Sequence, residues 1–299
     1  LVGARFVDRV QSLIVVLLLG VFAIFIAVTL VDIDTDLLAF DGYPPFSDII
    51  ASVALTFFAY LGFSVITFAV GDLREPAREL PKAMYIALGV TALTYVLISL
   101  GVFGTLTVTE VVGYGETAIA EAARPALGDA GFTMMAIAAL LATSSSVNAT
   151  LYASGGLTAM LAEVGQFPPF FGRGSRLGAH AGLLITSAIV LVVANLVDLS
   201  AIASVGSACS LMIFLLVGVA GYRLRSETGA LGTVVLLGIA ATAVVLVFFA
   251  VDTLRNAPQT FVAIVAIAAL AVILDVIWKR VRSEPPPAAP AAPIEPGGA

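Results

Sequence analysis

The sequence predicts an all-α integral membrane protein with eight transmembrane helices, on three observations. The 299 residues are 60% hydrophobic and 11% charged, with mean hydropathy +1.10; soluble domains run near about 45–50% apolar and about 25% charged. Eight apolar segments are long enough to cross about 30 Å of hydrocarbon at about 1.5 Å per residue. The basic residues alternate with those segments: 12 of the 14 Lys and Arg fall on one side, and Arg124 and Arg255 fall opposite. By the positive-inside rule the first side, with both termini of this chain, is cytosolic in the cell membrane.

In order, Arg5 and Arg9 precede the first span, Val10–Val31, and an acidic loop with Asp32, Asp34, Asp36 and Asp41 leads to the second, Ser47–Val70. Arg74, Arg78 and Lys82 follow it, and Pro81 closes the charged loop before the third span, Ala83–Thr105. In the connector Leu106–Ala130, the run from Glu116 reads as a short helix, either a lid over a vestibule or a surface connector. The fourth span, Gly131–Leu161, is too long for one straight crossing, so part of it tilts or runs on past the membrane. Arg173 and Arg176 come next, then the shortest span, Ala181–Val197, and a tight turn at Asp198 into Leu199–Tyr222. Arg223 and Arg225 separate this from Leu231–Val251, and Thr260–Val281 is closed by Lys279, Arg280 and Arg282. Residues 1–283 thus form one helical domain. Residues 284–299 are mostly Pro, Ala and Gly and read as a disordered tail. The sequence begins at Leu1 with neither an initiator Met nor a signal peptide, which places the true N-terminus upstream.

Little here suits an enzyme. The lone Cys209 makes no internal disulfide, and the single histidine, His180, reads as a solvated loop residue. Ala69-Val-Gly-Asp72 lacks the leading glycine and the second acid of an intramembrane aspartyl protease. Ser64 has no histidine in any span to activate it. Asp275, an acid inside the last span, stands four residues before Lys279, as an i,i+4 ion pair requires. Neither a catalytic residue nor a metal or organic cofactor is expected, nor a nucleic-acid partner.

Two stretches suit a binding site. Within the second span, Phe57-Phe58-Ala59-Tyr60-Leu61-Gly62-Phe63-Ser64 sets a glycine among aromatic rings and a hydroxyl. An intact membrane helix has no backbone group to offer, so a break at Gly62 would free carbonyls for a polar ligand. Lipid-facing bulk for the rings and a packing notch for the glycine are the ordinary alternatives. In the fourth span, Thr143-Ser144-Ser145-Ser146-Val147-Asn148-Ala149-Thr150 has six polar side chains in eight positions. Close helix packing accounts for a lone pair of serines; six read as the lining of a cavity or a cation site.

Together these residues resemble the amino acid–polyamine–organocation superfamily of permeases. Phe57-Phe58-Ala59-Tyr60-x-Gly62-Phe63 followed by Glu75-Pro76-x-Arg78-x-Leu80-Pro81-Lys82-Ala83 is similar to its sixth helix and following loop, and Gly165-Gln-Phe-Pro168-Pro-Phe-Phe171 to the loop after its eighth. The resemblance implies the leucine-transporter type of inverted-repeat fold, with the eight spans standing for helices 5–12: the last helix of repeat one, all of repeat two and two further helices. The family's first four helices are absent from this sequence. It also implies a substrate site at Phe58, Ala59, Tyr60, Gly62 and Ser64, and sodium-coupled members of the wider fold have hydroxyls aligned with Ser145 and Ser146. Many relatives have Glu where Ser64 stands, and a proton-coupling lysine in the region filled here by Leu17, Leu18 and Leu19. The expected function is alternating-access transport of amino acids or related amines, with Na+ or H+ as coupling ion. The rival expectation is a membrane scaffold or partner-dependent subunit that keeps the fold without transport.

Overall fold

The computed structural model describes residues 4–31, 33–39, 43–174 and 181–281. His180, Arg176 and the Pro/Ala-rich tail lie outside them. The principal elements are all helical: α1 (Ala4–Val31), α2 (Phe46–Thr56), a 3-10 helix (Phe57–Asp72), α3 (Pro76–Phe103), α4 (Val108–Tyr114), α5 (Ala118–Ala122), α6 (Arg124–Glu163), α7 (Ala181–Leu196), α8 (Leu199–Arg223), α9 (Arg225–Thr228), α10 (Gly232–Asn256) and α11 (Pro258–Val281). Among the described residues seven helices are long and apolar enough to cross a membrane. The remaining expected span appears as α7, whose 16 residues rise only about 24 Å. The chain folds as two compact units, Leu1–Pro44 with Gly62–Thr150 and Pro45–Leu61 with Leu151–Ala299.

In the first unit α1 lies along α3. Lipid is as apolar as leucine, so close packing rather than water exclusion must join the two helices. Gly101 supplies the closeness: the buried side chains of Phe25 and Thr29 on α1 occupy the space its Cβ would take. Around Phe25 gather Val102, Leu106, Ala120, Ala122, Ala123 and Met135. The connector between α3 and α6 is therefore seated in the core through its alanines, which fits the connector reading better than a detached lid. Thr107 caps α4 by accepting from the Glu110 N–H (3.3 Å), while the Glu110 carboxylate accepts from the Thr107 N–H (2.8 Å). That backbone bond, then the Thr107 hydroxyl, holds the Glu110 carboxyl below its ordinary 4.5. The cap is complete above that value and is lost as the pH falls through the lowered one.

α6 is broken near its start, where Gly128 takes φ 61° and ψ −153°, a conformation open to glycine and strained for other residues. Arg124 bridges the break. Its guanidinium donates to Glu121 (2.8 Å) and Asp129 (2.6 Å) and lies 4.6 Å above the Phe132 ring.

One boundary differs from the sequence reading. The charged loop ends at Pro76, and Pro81 lies inside α3. Pro76 takes the first helical position, where its missing N–H costs nothing. The Glu79 carboxylate reaches back to accept from the backbone N–H of Arg74 (3.2 Å) and Glu75 (3.5 Å), so the helix starts a turn and more before the apolar run.

In the second unit α10 packs on α2 and α8, with α11 against α8 and α10. Its core is Ala54, Ala208, Leu211 and Phe249, small residues on two helices receiving large ones from their neighbours. After α6 the chain turns at Gly165 (φ 74°), whose carbonyl accepts from Trp278 Nε1 on α11 (3.0 Å). Phe170 and Phe171 then stack at 4.5 Å before α7.

Gly101→Ala should destabilise the first unit by about 1–3 kcal/mol through overpacking against Thr29 and Phe25. Gly89→Ala, on the same helix with no atom within 4 Å of the added Cβ, should not. Melting temperatures of the two variants in detergent test this, and equal values would refute the close α1–α3 contact.

Candidate functional site

The sequence predicts that the second span opens at Gly62. The structure instead changes helix type earlier: α2 ends at Thr56, and the 16 residues from Phe57 to Asp72 follow in 3-10 geometry. Gly62 has no positive φ, and a Cβ built there meets no atom within 4 Å. Neither backbone conformation nor packing therefore requires glycine at this position, which speaks against the packing-notch alternative. Runs of 3-10 helix usually stop after about 3–4 residues, because their hydrogen bonds are poorly aligned and side chains three apart eclipse. A run of this length needs support from outside.

At its first residues α8, in the same unit as Phe57 and Phe58, supplies such contacts. Buried Ser207 donates its hydroxyl to the Leu55 carbonyl (3.3 Å) at the end of α2. Phe214 meets Phe57 edge to face, with centroids 5.7 Å apart and an interplanar angle of 85°. The Phe58 ring lies over Gly206.

The predicted substrate residues divide between the two units. Phe58 and Ala59 are exposed and Tyr60 half-buried in the second unit; Gly62 is exposed and Ser64 half-buried in the first. The Ser64 carbonyl accepts from the Thr67 hydroxyl (2.7 Å). In the polar cluster of α6, Thr143 and Ser144 turn back to the carbonyls of Ala139 and Leu140 (2.8 Å each), and Thr150 to that of Ser146 (2.9 Å). Half of the six polar side chains thus bond their own helix, as hydroxyls in membrane helices can.

Ser145 is different: its hydroxyl accepts from the side-chain amide of Gln11 on α1. The resemblance draws attention to Leu17–Leu19, where relatives carry a lysine, and not to Gln11. Its signal was a lone amide at the start of an otherwise apolar run. Leu17 and Leu18 instead line an apolar groove of about 670 Å³ between α1 and α6, with Val21, Met134 and Ile137, and with Asp129 among its few polar groups. Neither Ser145 nor Ser146 lines it. Asp275 is bonded to Lys279 (2.6 Å), the i,i+4 pair its spacing predicts.

Comparison with known proteins gives these helices a context. Residues 1–278 match the family model described as amino acid permease. The chain is 31% identical over 281 residues to an uncharacterised protein of Methanocaldococcus jannaschii, covering 93% of this chain and 64% of that one. It is 29% identical over 238 residues to the inner membrane transport protein YbaT of Escherichia coli, covering 79% and 55%. It is 24% identical over 233 residues to the methylthioribose transporter of Bacillus subtilis, covering 75% and 49%. The chain therefore spans about half to two-thirds of the length of these relatives, and the named ones are transporters rather than enzymes. The match to nearly every described helix is what identifies the chain: it is an all-α, multi-pass membrane protein and belongs to the amino acid permease family.

Proposed function

We propose that the protein is a secondary transporter of amino acids or related small amines, working by alternating access in the cell membrane with both termini of this chain in the cytosol. The observation that carries the proposal is the change of helix type inside the second span, within an aromatic run. A carbonyl oxygen has two acceptor sites, so one that keeps its bond within a 3-10 helix can still meet an ammonium group. In the second unit, carbonyls around Ala59 and Tyr60 take that role and Phe58 closes over the substrate; Gly62 and Ser64 follow in the same 3-10 segment. The names of the relatives extend the substrate class to be tested to thio-sugars.

Ser145 and Ser146 are the residues we assign to a coupling cation. A hydroxyl oxygen has two acceptor sites, so the bond from Gln11 leaves Ser145 able to join Ser146 at a sodium ion. Gln11 then orients one ligand of that ion.

Uptake of a radiolabelled panel of amino acids, amines and methylthioribose by the protein from its complete gene tests the function; accumulation of none of them ends it. Replacing sodium by choline in the same assay should lower uptake at least about tenfold if the hydroxyls hold the coupling ion, and unchanged uptake removes that assignment.

Gly62→Val should insert normally, because a side chain there meets open space. It should bind substrate poorly, because a β-branched residue stiffens the backbone. Phe58→Ala should weaken binding without altering abundance. Normal affinity per folded molecule of Gly62→Val would defeat this reading.

For orientation, with Cys209 replaced, a single cysteine at Asp36 should react with an impermeant thiol reagent on intact cells, and one at Arg173 only after permeabilisation. The reverse pattern would invert the topology.

A further inference from the structure

We infer that Gly206 on α8 is the seat that positions the Phe58 ring at the substrate site. The inference rests on the reading of Phe58 as the residue that closes over the substrate, and adds a positioning residue that touches no substrate itself. A Cβ on Gly206 would lie 2.5 Å from Phe58 Cε2, 2.8 Å from Cδ2 and 3.7 Å from Cζ, and these are the three nearest atoms to it. The edge of the ring occupies the volume that any side chain at 206 would need.

The next residue holds the backbone from which the ring projects. Ser207 is fully buried and donates to the Leu55 carbonyl at 3.3 Å, at the last turn before the 3-10 geometry begins. Two turns along α8, Phe214 holds Phe57 edge-on at 5.7 Å. α8 therefore grips this junction at a carbonyl and at two successive rings.

Other glycines in the molecule show why this one is more than a packing notch. The space at Gly101 is filled by Phe25 and Thr29, both buried. At Gly206 the occupant is a ring that stays 40% exposed. One edge of Phe58 is located by α8 while the rest remains available for contact. A glycine can take the ring edge this closely because it has no side chain of its own, so the ring has a defined resting place without being enclosed.

The test is Gly206→Ala in the protein from its complete gene, with 4-fluorophenylalanine at position 58 and fluorine NMR on the purified transporter. The added methyl group should push the ring aside and move the fluorine resonance. KM for the transported substrate should rise roughly three- to tenfold with little change in maximal rate per folded molecule. Phe58→Leu, whose shorter side chain clears the methyl, should combine with Gly206→Ala non-additively, the pair being no worse than Phe58→Leu alone. Should Gly206→Ala accumulate poorly, the same pair should restore its abundance, because the clash is with that ring. An unmoved resonance, additive losses or failure of the pair to restore abundance each overturn the inference. A moved resonance with unchanged KM leaves the seat standing and refutes the substrate role of Phe58 instead.

Discussion

In hydrocarbon a polar side chain has no water to turn to, and every structural choice in this protein has to satisfy that constraint. The commonest solution is local. Thr29, Thr94, Thr143, Ser144, Thr158, Ser187, Ser204 and Thr242 each donate to the carbonyl one turn back in their own helix. Such a bond satisfies the hydroxyl and leaves the helix surface effectively apolar. Among the described residues, some side chains do otherwise: Gln11 reaches Ser145, Ser207 reaches Leu55, and Trp278 reaches Gly165. Each crosses between elements of one unit, and each falls where a helix is joined, altered or ended. The long-range polar contacts thus mark the places where a bare stack of helices would be underdetermined.

The spans themselves were legible because crossing a bilayer depends on length and polarity, both written locally in the sequence. Both ends of α8 and α11 fall within a few residues of the apolar runs that predict them, whereas α1 starts at Ala4 and α10 runs on to Asn256. The helical start at Pro76 was not, since the apolar run begins later and the outer turns are made by Pro76 and the Glu79 carboxylate. The break at Gly128 was hidden for the opposite reason. One glycine among many carries no sign of its φ until its neighbours, here Arg124 and Asp129, are placed around it.

The candidate site was legible as a stretch but not as a mechanism of bending. Gly62 drew attention as the weak point of the second span, yet the change in hydrogen bonding begins at Phe57. Just before it, the Leu55 carbonyl takes a bond from Ser207, 152 residues along the chain. Nothing in the local sequence distinguishes Ser207 from the serines that bond their own helix. The same holds for glycine: Gly62 and Gly89 face open space, whereas Gly101 and Gly206 receive a neighbour's side chain. One letter stands for two physical roles, and only the packing separates them.

The 3-10 segment also acts as a reserve of length and rotation. A residue rises about 2.0 Å in 3-10 geometry and about 1.5 Å in an α-helix. Passing from one to the other over the 16 residues from Phe57 to Asp72 shortens the segment by about 8 Å and unwinds it by nearly one full turn. Even three or four residues changing type at one end would displace a ring by about the length of a carbon–carbon bond and swing it through roughly 60–80°. A rod of fixed composition thus contains its own screw, and the pitch is set by which carbonyl each N–H selects.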